Sequence, residues 1–239
     1  MAALFWLAIW QGLTLLIRQK LFLASPYEVF LALGRMLGQA RFYTALLNTF
    51  WHITAGFLIA FAVGVLLAVL AGRFGGVARL LKPLMAVVNA TPVASFTILA
   101  LILMGSRHLA LLMSFLMVMP ILYANTLAGI TSIPRGHFEA AEVFGMPRGE
   151  RLRYIYLPGA LPHVLSACRS GIGISWKAGV AAEVIGITAG SIGGWLYESK
   201  LYLNIDELFA YTLVVIVVSY VSEKGFGWLL QRGAKALTD

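Results

Sequence analysis

The chain has 239 residues, of which 60% are hydrophobic and 12% are charged, and its mean hydropathy is +0.87. Soluble domains are usually about 45–50% apolar and about 25% charged, so this composition excludes an ordinary soluble protein and indicates a membrane protein. The net charge of +8 does not point to nucleic acid, because the basic residues lie mostly between apolar blocks, where lipid headgroups and membrane orientation account for them. Cys168 is the only cysteine, so no intrachain disulfide can form.

Six apolar blocks follow one another along the chain. We expect each to span as a helix, because lipid offers no partners for backbone polar groups. The first block, residues 2–17, is short for a span; the alternative of a signal peptide is disfavoured because no basic residue precedes the block and no small-residue cleavage site follows it. Residues 21–41 begin a helix at Ser25-Pro26 but are too polar to span, and we expect them at the membrane surface. The remaining blocks are residues 44–71, 84–104, 109–130, 162–187 and 208–230.

The second block carries a small residue at every fourth position. On a helix this spacing forms one smooth stripe where another backbone can approach closely, either within the chain or in a second subunit. The stripe consists of Gly56, Ala60, Gly64, Ala68 and Gly72. His52 lies near the outer end of the same block, and no metal-binding pattern of Cys, His or carboxylate accompanies it, so we expect no metal site.

Two prolines interrupt the third and fourth blocks. Pro92 follows Asn89-Ala-Thr, and Pro120 lies in the middle of residues 109–130. Each proline removes a backbone donor and frees a carbonyl about one turn earlier, so we expect a kink with exposed polar backbone. Such an interruption can line a transport path or can be a simple kink, and the sequence leaves both open.

The fifth block is the most highly charged, since it contains Arg169, Lys177 and Glu183. These residues lie about 10, 22 and 32 Å along a helix that starts near Pro162. A charge at the depth of Lys177 costs about 2.5–3.5 kcal/mol and usually faces a bundle interior or a wet cavity. Lys177 and Glu183 are about 120° out of phase and do not pair on one face. Their partners could be neighbouring helices, a second subunit or a transported solute.

Residues 134–160, which we call the charged loop, hold seven of the 28 charged residues. Residues 139–144 favour a short helix, Gly145 breaks it, and Pro147 starts a second helix with arginines at its surface. The second helix is predicted to end at Pro158 and Pro162. A helix–turn–helix of this kind suits docking into a partner's groove.

We place the charged loop on the cytoplasmic side. The inner segments then hold nine basic residues and the outer segments six, which supports this orientation only weakly. The inner residues are Arg73, Arg79, Lys82, Arg135, Arg148, Arg151, Arg153, Arg232 and Lys235. The outer residues are Arg18, Lys20, Arg35, Arg41, Arg107 and Lys200. Of these, Arg18 and Lys20 are evidence against the cytoplasmic placement of the charged loop.

The spacing in the charged loop resembles the EAA loop of binding-protein-dependent ABC importer permeases. Glu139-Ala140-Ala141, Gly145, Ile155 and Leu157-Pro158 match that loop at every marked position. The rest of the chain looks like the nitrate/sulfonate/taurine branch of the family. The matching residues are Ser25-Pro26, Gly56-Phe57, Arg169, Trp176 and Ala182-Glu183. The chain departs from the branch at His52, at residues 103–107, which end in Arg107, and at Lys177.

The resemblance implies an all-α, type I ABC importer permease with about six transmembrane helices, forming one domain over residues 1–239 with its core at 44–230. It implies two permease subunits, expected as a homodimer, two cytoplasmic ATPase subunits and an external solute-binding protein, in a bacterial plasma membrane. Residues expected to couple to the ATPase are Glu139, Ala140, Ala141, Gly145, Arg148, Arg151, Ile155, Leu157 and Pro158. Candidates for the substrate path are Lys177, Trp176, Arg169, Glu183, Asn89, Pro92 and His52.

The chain has no G-x-x-x-x-G-K-[ST] motif, so we expect no enzymatic activity and no cofactor on this chain, with ATP bound by the partner ATPase. Two other functions remain open. One is a secondary transporter driven by an ion gradient, although no inverted repeat is evident. The other is a membrane scaffold that transports nothing. Arg169 and Lys177 favour an anionic or strongly hydrogen-bonding solute.

Overall fold

The computed structural model describes residues 2–17, 19 and 22–238, and every regular element in them is helical. Three of the basic residues counted above on the two sides of the membrane are not fully described: Arg18, Lys20 and the side chain of Lys235 lie outside the described part. The helices are α1 Ala2–Ile17, α2 Pro26–Leu37, α3 Ala40–Arg73, α4 Gly75–Ala90, α5 Val93–Met104, α6 Leu109–Thr131, α7 Arg135–Val143, α8 Arg148–Arg151, α9 Leu157–Ile185, α10 Ile192–Leu201 and α11 Ile205–Thr238, with a π-helical turn at Leu152–Tyr156 between α8 and α9. The predicted all-α class is confirmed.

Four of the six predicted spans are found by length and apolar character within the described residues. Three are the single helices α3, α6 and α11. The fourth is the pair α4 and α5, which together are long and apolar enough but are bent by 97°. Helix α9 is 29 residues long but not apolar enough by the same measure, and α1 is shorter than a span.

The centre of the bundle is formed by α3, α6 and α9, which pack against one another along much of their length. The small-residue stripe of α3 faces α6. A Cβ at Gly56 would lie 2.4 Å from the carbonyl oxygen of Leu111, and one at Gly64 would lie 3.0 Å from Cβ of Leu122. Only glycine allows so close an approach of the two backbones. The stripe is therefore an intrachain packing surface, which decides between the two interpretations left open by the sequence.

The two prolines have different effects on the backbone. At Pro92 the kink is confirmed and is larger than expected: α4 ends at Ala90, and α5 begins after Pro92 in a new direction. The predicted span over residues 84–104 therefore consists of two helices and not of one kinked helix, because Pro92 can neither donate a hydrogen bond to α4 nor let Thr91 stay helical. At Pro120 helix α6 continues without interruption, and the proline ring is buried.

Helix α2 is fixed at both ends. Its first turn is a capping box, in which the Ser25 hydroxyl accepts from the Glu28 backbone N–H and the Glu28 carboxylate accepts from the Ser25 backbone N–H. Near its C-terminus, Arg35 forms an ion pair of 2.7 Å with Asp206 at the start of α11. The apolar face of α2 packs with residues from α3, α10 and α11. The helix thus belongs to the end of the bundle opposite the charged loop, which we call the outer end.

Candidate functional site

The turn of the charged loop is built around Gly145, which has φ of +64°. The Met146 N–H donates to the Ala141 carbonyl and the Gly145 N–H donates to the Glu142 carbonyl. These two bonds form a Schellman motif, which satisfies the last carbonyls of α7 and requires a left-handed residue at this point. No heavy atom lies within 4 Å of a Cβ built on Gly145, so its conformation and not its size demands glycine. The predicted turn at Gly145 is found.

The side chain of Arg151, in α8, also stabilises this turn. Its Nε donates to the Met146 carbonyl at 2.8 Å, and one of its terminal nitrogens donates to the Ala141 carbonyl at 3.4 Å. Part of this arginine's donor capacity is therefore used inside the loop. The turn is held by its own backbone and by one side chain.

The prediction that Pro158 and Pro162 end the second helix is wrong. After α8 the chain makes the π-helical turn and continues directly into α9. Pro158 has no N–H to bond to the preceding turn, and the Leu157 N–H reaches back to the Leu152 carbonyl instead. A wider turn accommodates the proline without breaking the helix. The second helix of the charged loop and the fifth predicted span are consequently one continuous helical path.

The outward side of the loop is partly apolar. Val143 and Phe144, at the C-terminal end of α7, are 83% and 84% exposed, whereas Ala141 and Ile155 are buried. Five of the predicted coupling residues are exposed, namely Glu139, Ala140, Gly145, Arg148 and Pro158, and Arg151 and Leu157 are half-buried. The loop therefore keeps two of the predicted coupling residues buried and exposes five of them.

Helix α9 has one open face along most of its length. The other faces are covered by α3, α5, α6, α10 and α11. The exposed residues recur with helical spacing: Pro162, Ser166, Arg169, Ser170, Lys177 and Ala181. Neither Arg169 nor Lys177 has an ion-pair or hydrogen-bond partner within the part of the chain that the structure describes. Two cations thus stand on a face made otherwise of small residues.

Glu183 has a different environment, although it is only six residues further along. It is 1% exposed, and its Oε2 accepts from the Thr49 hydroxyl at 2.9 Å and from the Gly193 N–H at 3.1 Å. The Thr49 oxygen accepts in turn from the Ile192 N–H at 3.0 Å. This network ties α3, α9 and the first turn of α10 together. The side chain satisfies orphan N–H groups at a helix N-terminus, where a carboxylate is favoured.

This network was not predicted from the sequence. Helix α10 itself could have been recognised from Ser191, whose hydroxyl accepts from the Gly194 N–H as an N-cap. The roles of Thr49 and Gly193 could not, since they depend on how α3 meets α9. A Cβ on Gly193 would lie 2.3 Å from Cβ of Glu183, so this glycine allows the close contact.

A polar cavity of about 320 Å³ opens at the outer end beside this network. His52 and Asn48 line it from α3, Arg107 and Ser106 line it from the segment before α6, and Glu183 lines it from α9. The loop of residues 188–191 completes the wall. Two of the predicted path residues, His52 and Glu183, therefore meet at one cavity.

The remaining path candidates lie elsewhere. Trp176 is 2% exposed and packs against Phe50 with ring centres 6.2 Å apart, so its indole lies inside the bundle. Asn89 and Pro92 are exposed at the break between α4 and α5. Helix α5 in turn packs against Ala178 and Ala182 of α9. The structure thus divides the candidates among the open face, the outer cavity, the core and the helix break.

No group of three or more His, Cys, Asp or Glu side chains is close enough to hold a metal ion among the described residues. A second groove of about 370 Å³ lies at the base of the charged loop. It is bordered by Ser132, Pro134, His137, Tyr154 and Pro158.

Comparison with known proteins gives a consistent result. Residues 60–232 match the family model described as binding-protein-dependent transport system inner membrane component. The chain is 28% identical over 232 residues to the taurine transport system permease protein TauC of Escherichia coli (strain K12), covering 93% of this chain and 83% of that protein. It is 25% identical over 229 residues to the putative aliphatic sulfonates transport permease protein SsuC of Bacillus subtilis (strain 168), covering 95% and 82%.

A crystal structure of an amino acid ABC transporter with histidines has the same fold, with a TM-score of 0.59 and 20% identity over 82% of this chain and 94% of that one. These similarities confirm the resemblance to the nitrate/sulfonate/taurine branch. With several apolar helices, a charged loop in the position of the family's EAA loop and a family model covering most of its length, this chain belongs to the inner membrane components of binding-protein-dependent transport systems.

Proposed function

We propose that this chain is the permease subunit of an ATP-driven importer in a bacterial plasma membrane, where it forms the path of a small solute together with a second copy of itself. The observation that carries the proposal is the open face of α9. Arg169 and Lys177 are exposed there on a helix whose other faces are covered by the same chain. An external binding protein would deliver the solute.

Charged side chains within the membrane rarely face lipid tails, because the free-energy cost of placing a charge in hydrocarbon is high. They face a bundle interior or a water-filled cavity. Since the remainder of this bundle lies behind α9, the open face needs either water or another subunit in front of it. Two copies that face each other across a wet path would provide both. The small residues Ser166, Ser170 and Ala181 leave room for a solute beside the two cations.

The charged loop supports a separate ATPase as the source of energy. It presents an exposed apolar tip, Val143 and Phe144, next to the exposed carboxylate of Glu139. An apolar anchor surrounded by polar groups is typical of residues that carry binding energy in a protein interface. The sequence contains no G-x-x-x-x-G-K-[ST] phosphate-binding motif, which supports an ATPase on another chain.

We infer that the solute is a small anion. Two cations on the open face favour a negatively charged group, because a poorly solvated cation gains most from an opposite charge. The relatives described above are named for taurine and aliphatic sulfonates, and a sulfonate group would suit Arg169 and Lys177.

The test is uptake into proteoliposomes that contain this chain with and without its ATPase and binding protein. Uptake that requires ATP and the separate ATPase supports the proposal. Uptake driven by an ion gradient with this chain alone would favour a secondary transporter, and no uptake in either case would favour a scaffold.

Lys177→Ala addresses the path directly. We expect it to slow uptake about tenfold, equivalent to about 1.4 kcal/mol, without preventing assembly with the ATPase. The matched control is Lys82→Ala, which removes an exposed lysine from α4. Equal uptake rates in the two variants would remove Lys177 from the path.

A further inference from the structure

Two histidines from distant parts of the sequence meet at the outer end. The ring centres of His52 and His108 are 5.8 Å apart, with the ring planes tilted by 51°. His52 is half-buried on α3, and His108 is exposed at the position just before α6. The pair therefore bridges two of the three central helices at a place that solvent can reach.

The orientation of the His52 ring is fixed by a backbone contact. Its Nδ1 lies 2.8 Å from the Asn48 carbonyl oxygen. A carbonyl can only accept, so Nδ1 carries the proton in the neutral ring and Nε2 keeps a free lone pair. Histidines that bind metal ions are oriented in this way, with the nitrogen that does not bind the metal donating to a carbonyl or carboxylate.

The separation of the rings is compatible with a shared ion. With metal–nitrogen bonds of about 2.0–2.1 Å, an ion held by two imidazoles keeps their ring centres about 5–6.5 Å apart. The observed 5.8 Å falls in that interval. The imidazole of His108 has no hydrogen bond to any residue in the described part of the chain, so its ring is not committed to another partner.

The surroundings contain one charge of each sign. Glu183 lines the same cavity as His52 and favours a cation there, although its Oε2 is committed to the network with Thr49 and Gly193. Arg107 also lines the cavity and opposes a cation. No third His, Cys or carboxylate is close enough to complete a cluster within the described residues, so water would fill the other coordination positions.

From these contacts we propose that His52 and His108 form a two-imidazole site for a late first-row divalent metal ion, Zn²⁺ or Cu²⁺, which links the outer end of α3 to the start of α6 when it is bound. Imidazole ligands select such ions over Mg²⁺ and Ca²⁺, which prefer oxygen. The bound ion would exchange readily with solution, because only two of its ligands come from the protein. The inference is independent of the transport function and can be tested without it.

The experiment uses the full chain in detergent, purified with a tag that contains no histidine, and titrated with Zn²⁺ by calorimetry. We expect His52→Ala and His108→Ala each to weaken binding at least about tenfold, since even the loss of a residue behind a ligand costs about 10–100-fold. The matched control replaces the other two histidines together, His137→Ala and His163→Ala, and should bind as the unchanged chain does. Unchanged affinity in either single variant would overturn the proposal.

A second readout separates a metal site from an anion site. Electron paramagnetic resonance of bound Cu²⁺ should show two imidazole nitrogens, falling to one in His108→Ala, whose exposed position makes misfolding a poor explanation of the change. Arg107→Gln should tighten Zn²⁺ binding about twofold or more, because it removes a nearby positive charge. Weaker Zn²⁺ binding in Arg107→Gln, or binding of sulfate in place of Zn²⁺ at His52, would overturn the assignment.

Discussion

The charged loop and the open face of α9 are joined by the continuous helical path from α8 into α9, yet they are organised in opposite ways. The loop is complete in itself, because Gly145 supplies the left-handed turn and Arg151 donates to the Met146 carbonyl and, as a second donor, to the Ala141 carbonyl. The open face is incomplete, because Arg169 and Lys177 have no partner in the described part of the chain. Local backbone rules thus determine the first region, whereas nothing within the described part of the chain satisfies the two cations of the second.

The largest effect on stability is expected at Glu183, whose hydrogen bonds link α9 to α3 and α10. Glu183→Ala leaves the Thr49 hydroxyl and the Gly193 N–H buried without an acceptor, each at about 1–3 kcal/mol. We therefore expect a loss of about 2–5 kcal/mol in the free energy of unfolding, measured by denaturation in detergent. Glu198→Ala, an exposed glutamate of α10, is the control and should stay within about 0.5 kcal/mol. Equal stability of the two variants would show that the outer network contributes nothing.

A smaller effect is expected at the turn of the loop. Gly145→Ala must place an L-residue at φ near +64°, which costs about 1–2 kcal/mol. Hydrogen exchange at the Met146 amide, which bonds to Ala141, should be about tenfold faster as a result. Gly149→Ala is the control, because Gly149 lies in α8 with nothing within 4 Å of its Cβ position. If both variants exchange at the same rate, the Schellman turn does not depend on glycine.

The smallest effect on stability is expected at the tip of the loop. Phe144 is 84% exposed, so Phe144→Ala should leave the free energy of unfolding unchanged within about 0.5 kcal/mol. It should nevertheless weaken association with the ATPase by more than about 1 kcal/mol, as expected for an aromatic anchor. Leu103→Ala, which is equally exposed at the end of α5, should leave association intact. Association would be measured by light scattering or surface plasmon resonance, and a parallel loss in both variants would argue against docking at Phe144.

The sequence predicted those features that depend on neighbours along the chain. The turn at Gly145, the N-terminus of α2 at Ser25 and the break at Pro92 each follow from backbone constraints within a few residues. The same rules failed at Pro158, because a π-helical turn of this kind leaves no clear mark in the sequence. They predicted a kink at Pro92 but not its size, since the two helices meet there at 97°.

Rules based on neighbours along the chain could not predict features that depend on residues distant in the sequence. The spacing placed Arg169, Lys177 and Glu183 at different depths along one helix and left their partners open. Only the packing of α3 and α10 separates the buried carboxylate from the two exposed cations. His52 was considered alone, since nothing in the sequence joins it to His108. Likewise, the stripe on α3 predicted close packing but not its partner, which is α6.

The uninterrupted passage from α8 through the π-helical turn into α9 has a mechanical consequence. A helix resists compression along its axis, and α9 extends for about 43 Å at 1.5 Å per residue. Its inner end is continuous with α8 of the charged loop, and its outer end is anchored through Glu183 to the first turn of α10. A displacement of α8 along this axis would therefore be transmitted to the wall of the outer cavity.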